Sequence, residues 1–150
     1  MNMGYDTKTI KFLEREITSA ELDQMRAGFV DHALEHGNPP TSSERYSFVL
    51  MDGEEFIGCA SGLTSDSLNW FYLTDLFIEM AYRKQGLGAT LLRKLEERVF
   101  HLGIQNIWTQ TAGYEAPGFY QKQGYEIFFE LEAWYPSGHS QMGLRKRLRQ

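Results

Sequence analysis

Apolar and polar residues alternate along the chain in a way that divides it into short strand-like and helical segments. Two-residue alternation predicts a first strand over residues 8–14. Thr18 and Glu21 have the spacing of a capping box, and apolar residues at three- and four-residue spacing continue to about Glu35. We therefore expect one helix here, ended by the Gly-Asn-Pro-Pro sequence of residues 37–40.

The next three segments predict an antiparallel meander. Residues 46–51, 56–63 and 70–78 each have the composition and length of a strand, and short turns separate them. Asp52 and Gly53 form a hairpin signal between the first two of these strands. The third segment is long and apolar, so we expect it to lie in the centre of the sheet.

The pattern becomes helical after residue 78. Leucines at helical spacing and a charged outer face predict a helix that Gly88 opens and Gly103 ends. One strand, one short helix and two further strands are predicted at residues 106–111, 116–122, 125–131 and 141–148. The strand–helix–strand unit over residues 71–111 should be a right-handed crossover between parallel strands. The predicted fold is α/β of the α+β type: a mixed, mostly antiparallel sheet with one parallel β-α-β unit, in a single domain over residues 1–150.

Composition narrows the functional classes. The net charge of −5 disfavours a general nucleic-acid binder, so we expect no nucleic-acid partner. No apolar run has the roughly 18 residues of a membrane span, and the polar start of the chain is unlike a signal peptide. We therefore expect a cytoplasmic protein without membrane contact. The one cysteine, Cys59, is expected to be a small buried side chain. His32 and His36 lack the further ligands of a zinc site, so no metal is expected.

The most informative segment is the loop over residues 83–88, with the sequence Arg-Lys-Gln-Gly-Leu-Gly, between a strand and a helix. Glycines let backbone N–H groups converge, and the helix start adds free N–H groups and partial positive charge. Arg83 and Lys84 add full positive charge, so the segment predicts a phosphate or pyrophosphate site. A Walker loop is excluded because its Gly-Lys-Ser/Thr sequence is absent. A dinucleotide fingerprint is disfavoured because Leu91 replaces its third glycine and residues 106–111 contain no acid.

Arg83, Gly86 and Gly88, followed by a leucine-rich helix, resemble the coenzyme A pyrophosphate loop of the GNAT superfamily of N-acetyltransferases. Residues 116–125 resemble a second signature of that family. The resemblance implies acetyl-CoA as cosubstrate, no metal, and a role for Tyr120 at the thioester sulfur. The coenzyme-binding residues that it implies are Phe77, Ile78, Arg83, Lys84, Gln85, Gly86, Leu87, Gly88, Ala89, Thr111, Ala116, Phe119 and Tyr120.

The resemblance also implies direct attack by the acceptor amine, without an acyl-enzyme intermediate. The strand over residues 70–78 would separate from the strand over residues 106–111, and the pantetheine arm would lie in the gap, bonded to backbone groups of Phe77 and Ile78. A base must take a proton from the amine, and Tyr120 would protonate the leaving thiolate. Asp75 and Glu79 are the leading candidates for the base, with Tyr72 and His139 as alternatives.

The predicted function is N-acetylation of a primary amine, on a small molecule or a peptide. The alternative is a coenzyme A-binding sensory or interaction module without turnover. Residues 134–140 resemble a bacterial subgroup of the family, and a bacterial origin and a homodimer are further expectations.

Overall fold

A computed structural model describes residues 9–65 and 68–149, which belong to two compact units that meet in sequence at Pro40 and Thr41. The first unit contains helix α1, Ser19–Glu35. The Thr18 hydroxyl accepts a hydrogen bond from the Glu21 N–H at 3.2 Å, and the Glu21 carboxylate accepts one from the Thr18 N–H at 3.0 Å. The predicted capping box and helix are therefore confirmed.

The predicted first strand is wrong. Residue 8 lies outside the described residues, and residues 9–14 form no strand. Ile10 and Phe12 are 52% and 95% exposed, so their alternation does not mark a buried face. Two alternating apolar residues specify a strand only where a neighbouring strand hydrogen-bonds to them, and all the described strands lie in the second unit.

The second unit is built on a six-stranded sheet with the order β1-β2-β3-β4-β6-β5. Its strands are β1 Arg45–Asp52, β2 Glu55–Thr64, β3 Trp70–Ile78, β4 Asn106–Ala112, β5 Glu126–Leu131 and β6 Gln141–Arg147. Strands β3 and β4 are parallel, and the other described pairs are antiparallel. A 3₁₀ turn, Met80–Tyr82, and helix α2, Leu87–His101, connect β3 to β4, and helix α3, Pro117–Lys122, precedes β5. The predicted mixed sheet with one parallel unit is confirmed.

Helix α2 covers one face of the sheet, which we call the core face. Leu92, Leu95 and Val99 are fully buried there, in one cluster with Phe71 and Leu73 of β3. Burying each of these side chains contributes roughly 1.5–3 kcal/mol. The opposite face, here the second face, carries the side chains that alternate with the core residues along each strand.

The pairing of β3 with β4 stops halfway along both strands. The parallel ladder joins Trp70–Leu73 to Asn106–Thr109 and goes no further, although β3 continues to Ile78. The ladder between β2 and β3 shifts register at the same level, because Thr74 is an extra residue between the pairs Gly62–Leu73 and Ser61–Asp75. Such a bulge bends a strand away from its neighbour. The predicted separation of the two strands is confirmed, and we call the resulting gap the split.

Gly62 allows the close approach of β2 and β3 beside this bulge. A Cβ atom at Gly62 would overlap the Phe71 ring and the Tyr72 carbonyl oxygen, whereas one at Gly28 of α1 meets nothing within 4 Å. We expect Gly62→Ala to lower the free energy of unfolding by about 1–3 kcal/mol, since a buried ring and a strand must move. The matched change Gly28→Ala should be neutral or stabilising by up to about 1 kcal/mol, because alanine favours helix. Urea unfolding followed by circular dichroism measures both; equal losses would contradict the packing described here.

Candidate active site

The ladder between β2 and β3 determines which backbone groups of β3 point into the split. The Glu79 N–H donates to the Ile57 carbonyl at 2.8 Å, so this pair faces β2. Backbone direction alternates along a strand, so Phe77 also faces β2, while Leu76 and Ile78 direct their N–H and C=O groups into the split. The backbone groups that point into the split are thus those of Leu76 and Ile78, whereas those of Phe77 point to β2.

The glycine-rich loop leads from the end of β3 into the first turn of α2. Lys84 and Gly86 both have positive φ, at 64° and 78°, and Gly86 is the N-cap of the helix without a capping side chain. The N–H groups of residues 87–89 have no acceptor within the helix, and the first turn carries no acidic residue. Free N–H groups, the helix dipole and the Lys84 charge make this helix start suited to an anion.

The predicted coenzyme-binding segments meet at Gly88. A Cβ at this position would lie 3.7 Å from both the Ile78 Cγ1 and the Phe119 Cζ atoms, so α2, β3 and α3 are in contact there. Arg83 also lies at the end of β3, where its Nε donates to the Ile78 carbonyl at 2.9 Å. The remaining predicted positions are Gln85 in the exposed loop, Thr111 near the end of β4, and Ala116 as the N-cap of α3.

Tyr120 reaches the split from the core face. Its side chain is 7% exposed, and burial raises the pKa of the phenol to about 12. The Thr109 hydroxyl opposes this rise in pKa, while the negative charges of Glu115 and Asp75 add to it. Thr109 itself donates to the Leu73 carbonyl at 2.9 Å, at the last residue pair before the strands separate. The phenol is therefore protonated at neutral pH and can serve as a proton donor.

Asp75 lies on the second face. It pairs with Ser61 across the ladder, its side chain is exposed, and its Oδ2 accepts a hydrogen bond from the Thr74 hydroxyl at 2.7 Å. The negative charge of Asp75 on the second face contributes to the raised pKa of the Tyr120 phenol. Glu79 is exposed one residue beyond the end of β3.

The two alternative bases make other contacts. The Tyr72 ring stacks on Trp108 with 4.3 Å between ring centroids. The His139 Nδ1 atom lies 2.8 Å from the Ser137 hydroxyl, and its ring meets Tyr114 edge-on at 5.4 Å. Among the described residues, these contacts join each side chain to groups other than Thr74, the hydroxyl partner of Asp75.

A buried hydrogen-bonded group supports the segment that carries Tyr120. The Tyr125 N–H donates to the Tyr120 carbonyl at 3.0 Å, and the Tyr125 hydroxyl donates to the Glu96 carboxylate at 2.7 Å. Lys146 of β6 completes the group, with its Nζ 3.0 Å from Glu96. Burial, followed by the Glu96 charge, raises the pKa of the Tyr125 phenol well above its usual value. These contacts connect α2, the end of α3 and β6.

Other features of the described residues provide no comparable set of groups for catalysis or binding. Cys59 is half-buried, and burial raises the pKa of its thiol, which disfavours a thiolate nucleophile. The part of the chain that the structure describes contains no cluster of metal-ligating side chains, and none of its helices has the length and apolarity to cross a membrane. Two open depressions of about 430 and 480 Å³ lie between the end of α2 and Leu148, at the opposite end of the sheet from the split.

The sequence model described as the Acetyltransferase (GNAT) family matches residues 13–125, which is most of the chain. The chain belongs to the GNAT acetyltransferase family. Its match to the Blasticidin-S acetyltransferase of Streptomyces morookaense is 31% identical over 80 residues, covering 53% of this GNAT chain and 58% of that relative. The chain thus spans less than two thirds of the length of this curated relative.

Solved structures share the fold of this GNAT chain. An acetyltransferase from Bacillus cereus matches with a TM-score of 0.78 and 25% identity, over 92% of this chain and 98% of that one. An aminoglycoside 6′-N-acetyltransferase complexed with coenzyme A matches with a TM-score of 0.64 and 20% identity, over 89% and 93% of the two chains. The GNAT architecture is therefore shown by sequence and by structure.

Sequence analysis missed two residues that the GNAT fold brings to the split. Leu76 was overlooked because the direction of its backbone depends on the register with β2. Thr109 is a polar residue at a buried strand position, 3% exposed, and such residues need a hydrogen-bond partner. A threonine at a strand position where the pattern predicts a buried side chain was therefore a signal in the sequence for Thr109.

The contact between Thr109 and Tyr120 leads to a prediction for this GNAT protein. Thr109→Val keeps the shape but removes the hydroxyl that lowers the Tyr120 pKa, so the phenol should ionise at a higher pH than in the wild type. Thr109→Ser should leave the titration nearly unchanged. NMR of protein with ¹³C at the tyrosine ζ carbon follows each phenol separately. Ionisation of Tyr120 at the same pH in all three proteins would show that the Thr109 hydroxyl does not act on it.

Proposed function

We propose that this protein transfers the acetyl group of acetyl-CoA to a primary amine of a small molecule or a peptide. The main support for this proposal is the split in the sheet, which has a helix start suited to an anion at one end, the protonated Tyr120 on the core face and the carboxylate of Asp75 on the second face. Family membership supports acetyl transfer. The names of the similar proteins, a Blasticidin-S and an aminoglycoside acetyltransferase, support a small-molecule acceptor.

The residues at the split fit coenzyme A. The loop with Lys84 and Gly86, together with the first N–H groups of α2, suits the pyrophosphate. The N–H and C=O groups of Leu76 and the N–H group of Ile78 suit the amides of an extended pantetheine arm, in the manner of an added strand. Acetyl-CoA supplies an acetyl group activated as a thioester. The family match spans both compact units, and we propose that they form one acetyltransferase domain.

The two proton transfers that the reaction requires match the groups on the two faces of the split. As the amine nitrogen bonds to the acetyl carbonyl carbon and the carbon–sulfur bond breaks, the amine loses a proton and the sulfur gains one. Asp75, exposed on the second face, accepts the amine proton, directly or through water. Tyr120, protonated on the core face, donates to the sulfur. A backbone N–H in the split polarises the carbonyl.

The first test concerns the helix start. Acetyl-CoA should raise the melting temperature by mass action, by the equivalent of about 2.7 kcal/mol at one hundred times its Kd. Gly86→Val should abolish this rise, because a side chain would occupy the concavity that the phosphates need. Gly103→Val is the matched control, since Gly103 has a similar φ of 88° just after the other end of α2. Both variants should lose basal stability. A retained acetyl-CoA shift in Gly86→Val would reject this binding site.

The second test concerns turnover. Tyr120→Phe removes the proton donor and keeps the ring packing, so kcat should fall by about tenfold to a thousandfold while the Kd for acetyl-CoA changes little. Release of free thiol across a panel of primary amines measures kcat, and calorimetry measures the Kd. Unchanged kcat in Tyr120→Phe would reduce the residue to a packing role. Tight acetyl-CoA binding without thiol release for any amine would instead favour a coenzyme A-binding module.

A further inference from the structure

Arg45 is a charged side chain beside the split that the proposed chemistry leaves unused. It begins β1, and its side chain extends across β2 on the second face, where Nη1 lies 2.8 Å from the Ser61 hydroxyl and 3.0 Å from the Thr74 hydroxyl. Ser61 is 8% exposed and lies 2.6 Å, oxygen to oxygen, from the Ser47 hydroxyl. The guanidinium is thus fixed by an ordered network of neutral hydroxyl groups.

The positive charge of Arg45 has no direct counter-ion in the described residues. None of the ion pairs found there, with nitrogen and oxygen within 4.0 Å, includes this arginine. The described contacts of its guanidinium use Nη1, which leaves Nε and Nη2 to form a planar pair of donors. An arginine held rigidly by neutral partners retains its charge and donors for a carboxylate.

Arg45 also lies next to the candidate base. The Thr74 hydroxyl that accepts from Arg45 at 3.0 Å donates to Asp75 at 2.7 Å, so one hydroxyl group separates the cation from the carboxylate. An acceptor that presents its amine to Asp75 therefore lies beside the Thr74 hydroxyl to which Arg45 donates. Opposite charges at this spacing are complementary to a molecule that carries an amine and an anion close together.

We propose that Arg45 binds a carboxylate of the acceptor, so that the preferred substrates are amino acids or other molecules with a carboxylate near the reacting amine. The inference rests on the proposed function and specifies its substrate class. Arg45 is a specificity-determining residue in this account: it orients the acceptor and takes no part in proton transfer. The carboxylate pairs with Nε and Nη2 while the amine nitrogen attacks from the second face.

The experiment compares amino acids that have one primary amine with their decarboxylated amines, namely tyrosine with tyramine, histidine with histamine, and phenylalanine with phenethylamine, by thiol release from acetyl-CoA. Wild-type kcat/KM should favour the carboxylate member of a pair by about tenfold to a hundredfold, which corresponds to the roughly 1.5–3 kcal/mol of a charge-assisted hydrogen bond. Arg45→Gln should remove most of this ratio. Comparing ratios between variants cancels differences in the basicity of the two amines.

Arg145→Gln is the matched control, because Arg145 is also a partly exposed strand arginine but pairs with Glu126 at 2.8 Å. It should leave the ratio unchanged. A wild type that acetylates the decarboxylated amines equally well or better overturns the inference and leaves the proposed function standing. A loss of equal size for both members in Arg45→Gln also overturns it, by showing that Arg45 only positions Thr74 and Asp75. Absence of thiol release with every amine would overturn the proposed function and the inference together.

Discussion

The extra residue in β3, Thr74, is the constraint on which the rest of the site depends. A regular β3 would continue its parallel ladder with β4 beyond Leu73 and Thr109, and no gap would exist. The bulge ends that pairing while β3 keeps its hydrogen bonds to β2. The sheet therefore stays continuous between β2 and β3 and opens between β3 and β4. The N–H and C=O groups of Leu76 and the N–H group of Ile78 then lack strand partners inside the sheet, while the Ile78 C=O group accepts a hydrogen bond from Arg83 Nε. Backbone groups left in this way need a partner, and an extended amide-containing ligand arm supplies the right chemistry.

The surroundings of the split are unequal on its two faces, and that asymmetry is what makes it suited to acetyl transfer. On the core face, burial keeps the Tyr120 phenol protonated with its pKa at about 12, and the Glu96–Tyr125–Lys146 contacts hold the segment that carries it. On the second face, Asp75 is exposed and hydrogen-bonded to Thr74. In the proposed reaction, a donor buried on one side and an acceptor open to solvent on the other would let a proton enter at the sulfur while another leaves the amine.

Local sequence signals predicted the parts of this structure that depend on neighbours in the chain. The capping box at Thr18, the glycine-rich loop before α2 and the parallel β-α-β unit follow from short-range spacing, although α2 begins at Leu87, one residue before the Gly88 that was predicted to open it. Contacts between strands that are distant in sequence were harder to predict from the sequence. That Leu76 and not Phe77 directs its backbone groups into the split depends on the register with β2, which no residue type marks. The prediction of a first strand was wrong because alternation alone supplies no neighbouring strand to hydrogen-bond with. Arg45 lies beside the site only because its side chain extends across β2 and donates to the Thr74 hydroxyl.

In the proposed function the split receives the coenzyme arm, and amide hydrogen exchange measured by NMR with and without coenzyme A tests this binding most directly. The amides of Leu76 and Ile78 point into the split and should exchange quickly in the free protein, then slow markedly at saturating coenzyme A. The Phe77 amide faces β2 and should be slow in both states, which makes it an internal control within the same strand. Coenzyme A that binds measurably while Leu76 and Ile78 exchange as they do in the free protein would contradict the account.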